Sequence, residues 1–506
     1  MTYDIKKVAI IGTGIMGIGI AQLFAQAHFS TVLYDAQQGS AQLAKDKLSQ
    51  TFEKLCVKNK ISETQCQTAI QHLSVANALA ELADCDLIIE AIVENLTIKQ
   101  QLFQELESLV SAQTILASNT SSLSITSIAA KCAQPERVAG LHFFNPVPLM
   151  KVAEVIGGLK TAPNIVQQLK LLTEKLGHRA VIAKDTPGFI INHAGRAYGT
   201  EALKILNENV STLENIDRIL RDGAGFKMGP FELLDLTGLD VSHPVMESIY
   251  HQYYEEPRYK PNPLTRQMLE AGTLGRKTQQ GFYTYPAQEN ESIDSTVSVN
   301  ISANFPTVWI GADFLKDRQI LEKYLIDLNI AIDAAEIPNP ESLCILACYG
   351  EDTTHACLRY ATDPAKSVAI DMLYDFTQHR TLMPSLLTSS ESTEAAHAIF
   401  SADQTSLTII QESVGFVAQR VLAMIINLGC DIAQQQIASV DDINDAVRLG
   451  LGYPLGPIAW GDHLGAEKIL LILQRISTIT FDPRYRPSPW LQRRVALNLP
   501  LTFSPA

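Results

Sequence analysis

Residues 7 to 28, KVAIIGTGIMGIGIAQLFAQAH, set a short apolar β-rich run, a GxGxxG turn and a helical pattern in immediate succession. Few folds accept that order, because the glycines serve only where a strand feeds a helix beneath an anionic ligand. Gly12 permits the tight turn, Gly14 lets backbone N–H groups approach a pyrophosphate, and Gly17 lets helix and strand pack closely. Ile15 and Met16 lie inside the same turn and are expected at the cofactor. A lone GxGxxG is common by chance, but here a second strand, STVLYD, ends on Asp35 at the spacing where an acid pairs with the adenosine ribose hydroxyls. No Arg or Lys follows in DAQQGS, so the site favours NAD over NADP, whose extra phosphate the acid would repel.

Two further apolar runs, CDLIIEAI (85–92) and TILASNTS (114–121), flank the helical stretch NLTIKQQLFQELESLV. Such alternation builds a parallel sheet, and ligands of such sheets bind beyond the strands' C-terminal ends. Glu94, Lys99, Asn119, Ser121 and His142 thus become candidates along one crevice. Read alone, Ser121 and Ser122 suit helix caps and Lys99 a solvated charge.

In GLHFFNPVPLMKVAEV (140–155), Pro146 and Pro148 fix φ and remove two donors, so the piece reads as strand, bend, strand. The bend can bring His142 and Glu154 together. A carboxylate beside an imidazole in apolar surroundings selects one tautomer and raises basicity, as a general base requires, although a satisfied buried histidine is an equal reading of this window.

The 506 residues suffice for several domains, and 40 Lys plus Arg against 54 Asp plus Glu give a net charge of −14. That balance opposes a broad nucleic-acid or anionic-membrane surface. Eight cysteines show neither CxxC pairing nor zinc spacing, and Cys344 and Cys348 read as part of a buried strand, so reduced thiols and no metal are expected. The N-terminus enters a strand almost at once, without a signal-peptide pattern, and no apolar run is long enough to span a bilayer. A cytoplasmic location is expected.

Together ASNTSSLSITSIA, GLHFFNPVPLMKVAEV, DTPGFIIN, GAGFKMGPFELLDLTGLD and GRKTQQGFY resemble the 3-hydroxyacyl-CoA dehydrogenase family over residues 5 to 285. The resemblance implies a Rossmann domain followed by an all-α dehydrogenase domain, with NAD as cofactor and an acyl-CoA substrate. It makes His142 the base for the substrate's 3-hydroxyl and Glu154 the group that orients it. Ser121 and Asn192 match the residues that hold the reacting oxygen, and Glu94, Lys99, Ser121 and Asn145 match cofactor contacts. The family's helical hairpin that meets CoA corresponds to a stretch carrying Lys45, Lys47, Lys54, Lys58 and Lys60. One departure is that His193, not Arg, follows Asn192, with Arg196 three residues on.

After GFYTYP, the stretch AQENESIDSTVSVNISANFP reads as a polar linker, and residues 305 to 405 as a small α/β domain without a glycine-rich turn. The last hundred residues then repeat the helical domain. PGFIIN at 187 recurs as VGFVAQ at 414, and IDRILRDGAGFKMGPFELLDLTG at 216 as INDAVRLGLGYPLGPIAWGDHLG at 443, at one constant offset. Asn192 becomes Gln419 and Glu201 becomes Leu428, so the second copy reads as structural. The expected domains are 1–185 (Rossmann), 186–285 (helical), 286–405 (linker and small α/β) and 406–506 (degenerate helical copy). This layout is similar to the bacterial branch acting on 3-hydroxyadipyl-CoA in phenylacetate breakdown, with a 3-hydroxybutyryl-CoA or general short- and medium-chain enzyme as the alternative. A substrate ending in a carboxylate would want a cation, for which Arg196 and His193 are candidates. Family helical domains pair between subunits, so a homo-oligomer is one expectation and replacement of the partner by the second copy the other.

Overall fold

The computed structural model describes residues 5–285 and 305–504, and the expected linker at 287–306 falls outside them but for its last two residues. The chain divides into two compact units, 1–193 with 435–452, and 194–434 with 453–506. One piece of the degenerate helical copy belongs with the first unit, and the small α/β part shares the second unit with both helical parts.

In the first unit the apolar runs become strands β1 (Lys7–Ile11), β2 (Ser30–Tyr34), β3 (Leu73–Val75), β4 (Leu87–Glu90), β5 (Ile115–Ser118), β6 (Val138–Phe143), β7 (Val152–Gly157) and β8 (Arg179–Lys184). Their order is β3-β2-β1-β4-β5-β6-β7-β8, parallel except that β7 runs against β6. β4, β5 and β6 are buried throughout, as a sheet covered on both faces requires. Helices Ser40–Val57 and Glu63–Gln71 form the hairpin that carries the lysines, with Lys47, Lys54, Lys58 and Lys60 exposed and Lys45 half-buried.

The second unit holds a six-stranded sheet of β9 (Val308–Ala312), β10 (Ile332–Asp333), β11 (Leu343–Ala347), β12 (Ser367–Ile370), β13 (His379–Pro384) and β14 (Ser406–Ile409), ordered β10-β9-β11-β12-β13-β14. Its first four strands are parallel, β13 reverses against β12, and β14 runs parallel to β13. That is a reduced version of the first sheet's plan, a kinship the sequence did not show. Cys344 sits in β11 and Cys348 just beyond it, both buried, and all eight cysteines are free thiols. Among the described residues no helix is long and apolar enough to cross a membrane.

The helical repeat is real in three dimensions. Pro230–Thr237 has its counterpart in Pro457–Leu464 and Leu239–Gln252 in Ala466–Thr480. The copies face each other inside the second unit, where Phe226 stacks edge-on against its own counterpart Tyr453, ring centroids 4.9 Å apart. Contact between a residue and its repeat marks a local two-fold axis. Around it Arg258 Nη2 donates to the Arg486 carbonyl (2.6 Å) and Arg484 Nη2 to the Lys260 carbonyl (3.1 Å). Buried Glu201 accepts from Arg420 Nε (2.9 Å) and the Tyr485 hydroxyl (2.6 Å).

Candidate active site

At the end of β1, Gly12 adopts φ +94°, and a Cβ there would lie 2.6 Å from the Ala91 carbonyl oxygen. A Cβ on Gly17 would collide with the Gly12 carbonyl, whereas one on Gly14 would meet nothing within 4 Å. Two glycines thus close the strand–helix turn and the third leaves its face open. The helix that follows, Ile15–Gln26, has no side-chain cap and no acid in its first turn, so its N-terminal donors and dipole remain available to an anion. Ile15 is exposed there, Met16 is half-buried and Val93 is exposed across the crest.

Asp35 follows β2, and its Oδ2 accepts from the Thr13 N–H (2.8 Å) and hydroxyl (2.7 Å), its Oδ1 from the Gln37 N–H (3.0 Å). Partial burial pushes this carboxyl up, but the Thr13 hydroxyl and the two N–H donors outweigh it and hold it below the usual carboxylate range. An ionised acid at this place fits NAD and would repel a 2′-phosphate. Together with the open glycine turn, it shows that the residues present suit the dinucleotide.

His142, near the end of β6, and Glu154, in β7, are direct cross-strand partners. The bend between them does what the prolines predict. His142 Nδ1 and Glu154 Oε2 are 2.7 Å apart, with Glu154 fully buried and His142 nearly so. Glu154's other oxygen accepts from the Ile190 and Ile191 N–H groups, each at 2.9 Å. Those donors follow Gly188 (φ +76°) and Phe189 (φ +47°), both left-handed, which turn the chain so that consecutive N–H groups face the carboxylate. With Nδ1 given to Glu154, Nε2 is the nitrogen left for a substrate proton. Phe144 packs 4.3 Å and Phe189 6.1 Å from the imidazole, centroid to centroid.

Asn192 Nδ2 donates to the Ser121 carbonyl (3.3 Å), which brings two candidates 71 positions apart to one place. Glu94 Oε1 accepts from the N–H groups of Ser121 (3.1 Å) and Ser122 (3.2 Å) and from the hydroxyls of Thr120 (2.6 Å) and Ser122 (3.0 Å). Burial pushes the Glu94 carboxyl up, yet the Lys99 charge and these hydroxyls hold it below its ordinary value. Ser121 and Ser122 are not helix caps; the next helix is capped by Ser124, which accepts from Ser127 N–H. Lys99 is no solvated charge either. Its ammonium is buried between Glu90 (2.6 Å) and Glu94 (3.1 Å). Asn119 faces inward, its Oδ1 accepting from the Phe143 N–H (2.8 Å) beside His142, and Asn145 lies exposed in the bend. His193 is fully buried, and Arg196 opens the helix Arg196–Asn207 of the second unit.

Sequence reading missed Glu90, which ends β4 fully buried and also accepts from the Ser118 hydroxyl (2.7 Å). An acid closing an otherwise apolar strand at a sheet's C-terminal edge was the available signal. The Ile190 and Ile191 donors left none, because backbone N–H groups have no letter in a sequence. Among the described residues no three His, Cys, Asp or Glu side chains are grouped to hold a metal.

Residues 7–186 match the model of the 3-hydroxyacyl-CoA dehydrogenase NAD-binding domain, and residues 188–285 and 415–500 that family's C-terminal domain. A 3-hydroxyadipyl-CoA dehydrogenase of Escherichia coli (strain K12) is 35% identical over 500 residues, spanning 98% of this chain and 99% of that protein. The chain belongs to the 3-hydroxyacyl-CoA dehydrogenase family. A solved structure of 3-hydroxybutyryl-CoA dehydrogenase from Escherichia coli K12 substr. MG1655 superposes with a TM-score of 0.86 at 34% identity, covering 98% of this chain and 99% of that one. The 3-hydroxybutyryl-CoA dehydrogenase of Bradyrhizobium diazoefficiens is 40% identical over 285 residues, which are 56% of this chain and 97% of that protein.

This dehydrogenase is an NAD-dependent enzyme that oxidises 3-hydroxyacyl-CoA to 3-oxoacyl-CoA. The two stretches matched by the C-terminal domain coincide with the helical repeat, so the degenerate copy descends from the same domain as the competent one.

Proposed function

We propose that His142 is the general base of this dehydrogenase and that its preferred substrate is (S)-3-hydroxyadipyl-CoA. The observation that carries the first part is the 2.7 Å contact between His142 and a fully buried Glu154. Nicotinamide, when bound, accepts the hydride from the substrate's C3. His142 Nε2 takes the hydroxyl proton as that happens, while Glu154 fixes the tautomer and balances the developing imidazolium. Ser121 and Asn192 hold the reacting oxygen and steady its charge. Gly12, Gly14, Ile15, Met16 and Gly17 seat the pyrophosphate and Asp35 the adenosine ribose. Glu94 and Asn145 are further cofactor contacts, as is Lys99, which pairs with Glu94 from behind. Histidine suits a reversible step, because it returns the proton when the ketone is reduced.

The adipyl preference is supported by the layout of the whole chain, shared end to end with a relative named for that substrate. The Bradyrhizobium relative named for hydroxybutyryl-CoA corresponds to about the first half. Arg196 is the candidate cation for the distal carboxylate, with His193 the second candidate; burial lowers the Arg196 guanidinium to about 10, still a cation at neutral pH. A place in phenylacetate breakdown follows from that substrate. The second reading, a hydroxybutyryl-CoA enzyme, is favoured by the name of the full-length structural relative. NADH formation with both thioesters side by side, compared as kcat/KM, separates them. At least a tenfold preference for the adipyl substrate, lost in Arg196→Ala, is expected; a butyryl preference sinks it.

The repeat also supports a chain whose helical copies pair with each other and so fill the place of a second subunit. Light scattering is then expected to show no dimer built through the first helical copy.

A further inference from the structure

We propose that the helix Val440–Gly450 of the degenerate copy positions the catalytic pair, so that the second copy acts on the active site although it contributes no chemistry to it. This rests on the assignment of His142 and Glu154 above. The segment 435–452 belongs to the first compact unit, and its helix packs on β7, which carries Glu154, and on β8. It is fastened at both ends of β8. At one end Arg179 donates through Nε to Asp445 (2.9 Å) and through Nη2 to Asp442 (2.7 Å). At the other, the Lys184 N–H donates to the Ile437 carbonyl (2.9 Å).

Arg179 is the register partner of Val152, two positions from Glu154 on β7. Partial burial pulls its guanidinium down, but the bonds and charges of Asp445 and Asp442 outweigh it and keep it raised. These acids are particular to the second copy: the matching positions of the first hold Asn215 and Arg218. The degenerate copy is thus charged to meet Arg179, which general loss of function does not explain.

Gly450 supplies the link to the base. A Cβ there would run into the Ile191 Cδ1 and reach 3.4 Å from the Val152 Cγ1. Ile191 is the residue whose N–H holds Glu154, and Val152 begins the strand that carries it. The helix end is therefore seated against both supports of the carboxylate, where an added methyl would have to displace the Ile191 side chain. The counterpart glycine of the first copy, Gly223, is also closely packed, since a Cβ there would be 2.8 Å from the Tyr374 ring. Close docking of this helix is thus kept in both copies.

The test compares wild type, Gly450→Ala, Gly450→Ala/Ile191→Val and His142→Ala as full chains, with 3-hydroxybutyryl-CoA as probe. For each, kcat, KM, NAD affinity by fluorescence and Tm are measured. Gly450→Ala is expected to lower kcat at least tenfold while NAD affinity stays within twofold. Ile191→Val, which deletes the colliding methyl, is expected to restore kcat to within about threefold. Unchanged kcat in Gly450→Ala, or no rescue in the double variant, overturns the proposal. Should Gly450→Ala not fold, Asp442→Asn/Asp445→Asn carries the test: a kcat loss at unchanged NAD affinity supports it and wild-type kcat overturns it. Full activity in His142→Ala would instead remove the base assignment, a failure distinguishable from either.

Discussion

His142 and Glu154 were legible as a pair because two prolines left the chain between them no helical option, and the strands β6 and β7 then set them opposite each other. What the letters could not show is how Glu154 is held, since its second oxygen is satisfied by backbone alone. Lys99 was legible as a site residue but not as a buried one, because its first partner, Glu90, lay hidden at the end of an apolar run. The pair's role gives the first prediction. His142→Ala removes the proposed proton acceptor and leaves the glycine turn and Asp35 untouched. Turnover should fall by about 10²–10⁴, with NAD affinity by fluorescence titration within a factor of about two. Loss of both together would mean that the imidazole chiefly supports the fold.

At the scale of elements, the glycine turn, the strands that bear the crest and the helical repeat could all be read, because each has a local period or fixed spacing. The likeness between the two sheets could not, since strand order leaves no trace in a sequence whose loops have diverged. The repeat is uneven at the position of His193. Its counterpart is Arg420, which pairs with Glu201 of the first copy; Glu201's own counterpart is Leu428. The mirrored positions hold His193 and Leu428, so the arginine–carboxylate pair is not repeated in sequence. Burial pushes the Glu201 carboxyl up, but Arg420 and Arg484 outweigh it and hold it below its ordinary 4.5. A lowered carboxyl stabilises fully above about pH 4.5 and loses that contribution as pH falls through its folded value. Glu201→Gln should therefore cost about 1–3 kcal/mol at neutral pH, because Arg420 keeps Glu208 (2.6 Å) as its remaining carboxylate partner, and its Tm should depend less on pH below 4.5 than that of wild type. A variant as stable as wild type at pH 7 would show that the seam draws its strength from apolar packing alone.

For the molecule as a whole, repetition of both sheet and helices raises the question of how many cofactors one chain holds. The crest of the second sheet answers it chemically. Where the first sheet has its glycine turn, β9 leads into Asp313, whose carboxylate takes Arg475 (2.6 Å) and Arg359 (2.9 Å). Arg475 also donates to the carbonyl of Tyr349 beyond β11 (3.0 Å) and pairs with Glu351 (3.3 Å). Gln419, which stands where the first copy has Asn192, donates to the Cys348 carbonyl and to Asp371, both at 3.0 Å, and accepts from Gly350 N–H at 2.9 Å. At this position the amide fastens helix to sheet, and a pyrophosphate at this crest would meet Asp313 instead of open N–H groups. Isothermal titration of the full chain should give one NAD per chain, and Gly12→Val, which drives a side chain against Ala91, should abolish that binding entirely. Two equivalents, or binding that survives Gly12→Val, would mean that the ion pairs of the second crest open to a ligand.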